Sequence, residues 1–258
     1  MPEGDTVYRS AKNLARVLDA TVLTRCDIRV PAFATVDFTG QTVDEVLSRG
    51  KHLLMRIGDH TIHSHLKMEG SWHIYRPDSK WFRPEWQARA ILANDQYTAV
   101  GFQLGTLDIV RRDDEDSVVG YLGPDLLGPD WDADRALANL LENPDREVGL
   151  ALLDQRVLAG LGNVYRNELC FLRGVLPTTA VGQVSEPDKL IQLAKRLIEA
   201  NKDRAQRTTT GKLRGETSWV YGREHKPCSR CRTRIRHAEL GDTQLQLRDI
   251  YWCPHCQR

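Results

Sequence analysis

The spacing of apolar residues changes character three times along the chain. Val7, Ala11, Leu14 and Leu18 recur at intervals of three to four, which predicts an amphipathic helix over residues 5–20 that Asp5 or Thr6 can cap. From about 21 to 111 the period shortens and strands are predicted at Thr21–Val30, Val43–Ile57, His60–Lys67, Trp72–Tyr75, Ala88–Val100 and Leu107–Arg111. Glycines and Asp/Pro-rich stretches separate these runs, enough for a sandwich or a barrel. Leu122–Pro129 contains two Gly-Pro pairs, which regular structure does not accommodate, and is the linker candidate. Helical spacing then dominates at about 132–142, 146–155, 163–173 and 187–204, the last with Leu190, Leu193, Ala194, Leu197 and Ile198 on one face. The tail returns to turns and short strands around four cysteines. No internal repeat is visible.

Composition changes this picture in two places. Among 258 residues, 41% are hydrophobic and 28% charged, as in ordinary globular proteins. No apolar run approaches the roughly 20 residues of a membrane span. The start, Met1-Pro2-Glu3-Gly4-Asp5, lacks the basic-then-apolar layout of an export signal, so a cytoplasmic protein is expected. The net charge of +1 hides an asymmetry: residues 201–258 hold 13 Lys/Arg against 6 Asp/Glu, leaving 23 against 29 for residues 1–200. A basic tail serves a polyanion by releasing counterions from phosphates, or else forms a solvated surface.

Three constellations carry chemistry. Cys228-Ser-Arg-Cys231 and Cys253-Pro-His-Cys256 are two Cys-x-x-Cys pairs with 21 residues between them, room for a hairpin. Four thiolates can close a tetrahedral Zn²⁺ with no open position, which makes the ion structural rather than catalytic. The arginines this segment carries, Arg230, Arg232, Arg234, Arg236 and Arg248, suit nucleic acid. Cys26 and Cys170 stand alone among apolar neighbours and read as buried, reduced fillers. Second, Leu152-Leu-Asp-Gln155…Ala159-Gly-Leu-Gly-Asn163-Val-Tyr165 is a glycine-punctuated turn between helices. Its following helix start offers amides to an anion, or it is a helical hairpin made only for packing. Third, Pro2 after removal of Met1 would present a secondary amine, which attacks a sugar carbon to form an imine, with Glu3 beside it to move protons.

Pro2-Glu3-Gly4, Arg49-Gly-Lys51, Leu153-Asp-Gln…Gly-Leu-Gly-Asn163-Val-Tyr165, Val220-Tyr-Gly-Arg223 and the paired Cys-x-x-Cys ending occur in one order. Together, from end to end, they resemble the formamidopyrimidine-DNA glycosylase/endonuclease VIII family of repair enzymes, its endonuclease VIII-like members above all. The resemblance implies an α+β multidomain fold: an N-terminal β-sandwich with flanking helices (1–122), a helix–two-turn–helix domain (123–218) and a zinc hairpin (219–258). It implies a monomeric, nucleoid-associated enzyme acting on double-stranded DNA with oxidised bases or abasic sites. In that reading Pro2 attacks C1′ and leaves a Schiff base, and Glu3 assists ring opening and β,δ-elimination. Lys51, at the tip of a hairpin, grips DNA beside the lesion, unless it is an ordinary turn lysine. Asn163 and Arg248 bind flanking phosphates, so that the nucleotide swings out at lower cost. Met68, in His65-Leu-Lys-Met68-Glu-Gly70, is either the wedge that fills the vacated stack or a core filler.

Departures from the family pattern point to specificity. Thr6 stands where many relatives carry glutamate. The stretch Asp108–Asp113 lacks the Arg-Phe pair of relatives specific for oxidised guanine, and the loop at about Thr209–Thr217 is short. Both favour oxidised pyrimidines. The competing readings are a catalytically idle module that binds damaged DNA and a lyase acting mainly on abasic sites.

Overall fold

The structure, a computed structural model, describes residues 2–258. It consists of two compact units, one ending at Tyr121 and one running from Leu122 to Arg258. In the first, α1 (Gly4–Leu18) precedes β1 (Thr21–Val22), β2 (Arg25–Ile28), β3 (Thr42–Arg49), β4 (His52–Ile57) and β5 (His60–His65). Then follow β6 (Ser71–Tyr75), β7 (Ala88–Ala93), β8 (Thr98–Phe102), β9 (Thr106–Arg111) and the short α2 (Asp116–Val119). Strands β1-β3-β4-β5-β9 form one antiparallel sheet and β2-β7-β8-β6 a second. Alternate residues of the first sheet (Val46, Leu53, Met55, Ile57, Ile62) share a core with Ala90, Leu92 and Ala99 of the second and with Val7, Leu14 and Leu18 of α1. This is the expected β-sandwich. The period-2 pattern leaves the opposite face of β4–β5–β9 to His52, Arg56, Thr61, His63 and Asp108.

Several expected strands divide where the chain turns. Val43–Ile57 is a hairpin broken at Gly50-Lys51. Ala88–Val100 breaks where the Asn94 side-chain oxygen accepts from the N–H groups of Gln96 and Tyr97, a local bond that competes with the ladder. The helix begins at Gly4, two to three residues earlier than capping by Asp5 or Thr6 requires. Glu3 is its N-cap and makes no side-chain cap, while the Asp5 carboxylate accepts from the Thr6 N–H at 2.8 Å. Cys26 is only half-buried, correcting the expectation of a core filler. Cys170 is fully buried, and burial pushes its thiol up to about 12.

The second unit contains α3 (Ala133–Leu141), α4 (Val148–Ala151), α5 (Asn163–Arg173), α6 (Pro187–Asn201) and the hairpin β10 (Arg236–Leu240)/β11 (Arg248–Trp252). The 122–129 stretch is irregular, as its prolines require, yet it packs inside this unit: Leu122, Asp125 and Leu126 are buried. Gly123 donates to the Gln155 carbonyl, and a Cβ there would lie 2.3 Å from the Arg156 oxygen. The helix expected over 146–155 contracts to α4, because Leu153-Asp154-Gln155 is needed for a turn. The helix expected over 187–204 stops at Asn201, whose amide donates to the Leu197 and Thr208 carbonyls and redirects the chain.

Candidate active site

In the first unit Pro2 is half-buried and Glu3 fully buried, immediately before α1. The Glu3 carbonyl accepts the first helical bonds, from Thr6 at 2.9 Å and Val7 at 3.0 Å. The helix start therefore holds Pro2 and Glu3 directly against α1. Lys51 occupies the two-residue tip between β3 and β4, closed by the Arg49↔His52 pair, and Gly50 takes the left-handed φ of 57° that the tip requires.

Met68 lies in the turn between β5 and β6 and is 60% exposed. That exposure rules out the core-filler reading. The turn is closed by the Gly70 N–H donating to Leu66 at 2.8 Å, and a Cβ at Gly70 would lie 2.5 Å from that same oxygen. Behind these two tips lie buried histidines that the sequence reading passed over. His52 Nδ1 is 2.7 Å from His63 Nε2, His52 Nε2 is 3.0 Å from the Tyr121 hydroxyl, and His63 Nδ1 is 3.2 Å from Asp108. Burial, with Lys51 and Lys67 nearby, lowers His52 to about 3 and His65 to about 4; burial also lowers His63. The available signal was the alternation in His63-Ser-His65, which puts both rings on one strand face.

In the second unit the Leu-Asp-Gln…Gly-Leu-Gly-Asn motif is a latched double turn. Gln155 Nε2 donates to the Leu153 and Leu161 carbonyls at 2.8 and 3.0 Å, and its Oε1 accepts from the Gly160 N–H at 3.0 Å. Gly160, at φ 110°, is in a region closed to other residues. Asp154 is clamped between Arg156 and Arg146, which hold its carboxyl far below the usual range. The turn delivers Asn163 to the first position of α5.

There Asn163 meets the hairpin. Its amide donates to the Asp249 carbonyl at 3.0 Å and its oxygen accepts from Arg166, which also reaches the Asp249 carbonyl at 2.9 Å. Asn167 completes the seam, donating to Asp249 and accepting from the Tyr251 N–H at 2.6 Å. A polar face of α5 whose residues are almost wholly buried thus ties Asn163 to the backbone carbonyls of Arg248 and Asp249, the Arg248 side chain itself being exposed. One turn along, the buried Glu168 carboxylate accepts from the N–H groups of Trp219, Val220 and Tyr221 at 2.7–2.9 Å and from the Thr209 hydroxyl. This fixes the Val220-Tyr-Gly-Arg223 segment ahead of the cysteines.

The sulfurs of Cys228, Cys231, Cys253 and Cys256 all lie within 4.8 Å of one another. Four sulfurs about 2.3 Å from one ion at tetrahedral angles stand roughly 3.8 Å apart, and the observed Cys228–Cys256 and Cys231–Cys253 separations are 4.0 and 3.3 Å. The donor set fits a structural metal. Asp242 is exposed and pairs with Arg146, and His255 is exposed, so neither belongs to the cluster.

A sandwich with Pro2-Glu3 ahead of its first helix, a latched double turn before α5 and a four-cysteine hairpin together define a DNA-repair glycosylase fold, and the chain belongs to the formamidopyrimidine-DNA glycosylase/endonuclease VIII family. The models of the formamidopyrimidine-DNA glycosylase N-terminal domain and H2TH domain match residues 1–106 and 122–210. The chain is 54% identical, over 261 residues, to a probable endonuclease 8 2 of Streptomyces coelicolor, covering 100% of this chain and 94% of that one. It is 50% identical to the DNA-(apurinic or apyrimidinic site) lyase Nei2 of Mycolicibacterium smegmatis, covering 100% and 99%. Among solved structures, the fold matches a Lactococcus lactis Fpg bound to DNA containing an abasic site with a TM-score of 0.81 over the full length of both chains, at 22% identity. No helix among the described residues is long and apolar enough to cross a membrane.

Proposed function

We propose that this chain is a bifunctional DNA glycosylase and abasic-site lyase of base excision repair, acting on oxidised pyrimidines in double-stranded DNA. The observation that carries the reading is the rigid presentation of Pro2 and the buried Glu3 at the start of α1, in a chain about half identical to endonuclease 8 relatives over its whole length. With Met1 removed, the neutral Pro2 amine attacks C1′ of the damaged nucleotide and the C1′–N bond breaks with its electron pair leaving on the base. The proton on the Pro2 nitrogen goes to the departing base; Glu3 then gives a proton to the ring oxygen, the C1′–O4′ bond breaks with that oxygen kept as the C4′ hydroxyl, and the nitrogen lone pair closes the C1′=N⁺ imine. The imine acidifies the C2′ hydrogen, so its removal expels the 3′ phosphate. A second elimination expels the 5′ phosphate, and hydrolysis frees Pro2.

Lys51 grips the backbone beside the lesion, Met68 fills the vacated stack, and Asn163 and Arg248 hold the flanking phosphates. In this reading Asn163, whose amide bonds Asp249, places the α5 start and the arginine-bearing strand as one surface. Cys228, Cys231, Cys253 and Cys256 would hold Zn²⁺, which supplies a closed, structural tie for the hairpin and takes no part in the reaction. Residues 123–218 and 219–258 then serve as the double-turn and zinc-hairpin domains of the second unit, in a monomer at the nucleoid. The pyrimidine preference rests on the absent Arg-Phe pair in Asp108–Asp113 and on the short 209–217 loop, closed by the Thr209 N–H donating to Thr217 at 2.9 Å. A second reading, a lyase acting mainly on abasic sites, is favoured by the activity for which the Mycolicibacterium relative is named. Borohydride trapping on duplexes carrying thymine glycol, 8-oxoguanine or an abasic site tests both. Trapping on thymine glycol and the abasic site is expected, trapping on the abasic site alone selects the second reading, and trapping on none rejects both.

A further inference from the structure

We propose that Tyr121, His52, His63 and Asp108 form a one-way hydrogen-bonded relay that positions Lys51 and the Met68 turn. The inference rests on the roles assigned above to Lys51 and Met68, and all four relay groups act through those residues rather than on the substrate.

The relay follows from strand register. His52 pairs with His65 across β4–β5, and His63 pairs with Asp108 across β5–β9, so these side chains share the face of the sheet turned away from the main core. Tyr121, after α2, closes the row from its far end with a hydroxyl 3.0 Å from His52 Nε2. The direction of every bond is determined by its last member. A carboxylate only accepts, so His63 donates from Nδ1 to Asp108, at 3.2 Å. His63 Nε2 then accepts from His52 Nδ1, at 2.7 Å, and His52 Nε2 accepts from the tyrosine. Both rings are neutral in this arrangement, carrying their protons on Nδ1. The groups facing them agree with neutrality: Lys51 and Lys67 add positive charge on one side, His65 lies alongside, and the Asp108 carboxylate faces His63 at the other end. An imidazolium at His52 would reverse the tyrosine bond, its Nε2–H donating to the phenol oxygen, and would repel Lys51.

The mechanical consequence lies at the strand ends. His52 is the closing residue of the Lys51 hairpin, so a ring held by two hydrogen bonds fixes the backbone from which Lys51 projects. Against its edge, at 5.1 Å between centroids, stands His65. Its Nδ1 accepts from the Lys67 N–H at 2.9 Å and supports the left-handed Lys67, φ 51°, that immediately precedes Met68. One ring therefore braces both tips.

The test is nitrogen-15 histidine spectroscopy of the full chain together with single-turnover cleavage of an abasic duplex. In the native protein His52 is expected with its proton on Nδ1 and without titration between pH 5 and 8. Tyr121→Phe removes only a hydroxyl from a half-exposed ring. It is expected to leave the melting temperature unchanged, move the His52 titration back toward its ordinary range and slow cleavage about tenfold, the scale of sub-ångström misplacement. Asp108→Ala removes the acceptor that fixes the His63 tautomer and is expected to let the His52 proton shift to Nε2 and to slow cleavage, with both rings still neutral between pH 5 and 8. A His52 proton on Nε2 in the native protein, or a Tyr121→Phe protein with native tautomers and native rate, overturns the relay. A native protein that cleaves nothing rejects the functional reading instead, and the spectra still report whether the relay exists.

Discussion

Glu168→Gln isolates the most concentrated polar tie of the second unit. Glutamine has nearly the volume of glutamate, so no cavity opens and only charge and acceptors are lost. In the native protein one carboxylate oxygen receives the Val220 and Tyr221 N–H groups, both at 2.9 Å, and the other receives the Trp219 N–H at 2.7 Å and the Thr209 hydroxyl. Whichever end the new NH₂ group takes, two donors lose their acceptor and face another donor. A buried donor left unsatisfied costs about 1–3 kcal/mol. The Thr209 hydroxyl can turn to the Thr217 carbonyl 3.2 Å away, so the lower part of the range applies at that end, and a loss of about 3 kcal/mol is expected overall. For a unit of this size that lowers the melting temperature by roughly 10 °C. Differential scanning calorimetry of both proteins, with urea denaturation as a check, measures it. A shift under about 2 °C would show that the carboxylate does not hold the 219–221 segment, and the account of α5 as the organiser of the hairpin would fall.

Other outcomes follow from the same geometry. His52 and His65 have folded-state values below the ordinary histidine range, at about 3 and 4. The unfolded chain therefore binds more protons below about pH 6.5, and each ring should cost about 1.4 kcal/mol of stability per pH unit as pH falls toward its folded value; a stability curve flat from pH 6.5 to 5 would contradict their burial as neutral rings. If the four cysteines hold a metal as proposed, a strong chelator, like Cys228→Ser, should loosen the hairpin and weaken binding to undamaged duplex, while the first unit keeps its structure; circular dichroism and anisotropy read the two effects, and unaltered binding would separate the cysteines from DNA recognition. Met68→Ala should leave the melting temperature within about 1 °C, since the side chain is exposed, yet slow release of a lesion base several-fold. Equal rates on lesion duplexes would remove it as the wedge. Blocking the amine by retaining Met1 should abolish borohydride trapping with binding preserved, and trapping at a native level would displace Pro2 from the chemistry.

Local patterns carried much of this architecture. The α1 stripe of Val7, Leu14 and Leu18 and the alternation through β4 and β5 are set by which residues can be buried at a given period, and they read correctly from the chain alone. The cysteine pairs were legible for a different reason: a metal knuckle needs its ligands at fixed short spacing. Boundaries were less legible where side chains bond the backbone, as at Asn94 and Asn201, because such bonds compete with helix or ladder without changing hydrophobic period.

Tertiary structure alone decided the long-range polar pairings. Nothing local to Asn163 or Arg166 indicates that both meet the Asp249 carbonyl, or that Glu168 gathers three consecutive amides some fifty residues away. Likewise the His52–His63–Asp108 row exists only once β4, β5 and β9 are in register, and Met68 could be assigned to solvent only when its turn was in place. Burial periodicity is a property of one segment and its neighbours in sequence. A hydrogen bond between segments depends on register and packing, which are fixed only when the whole core closes.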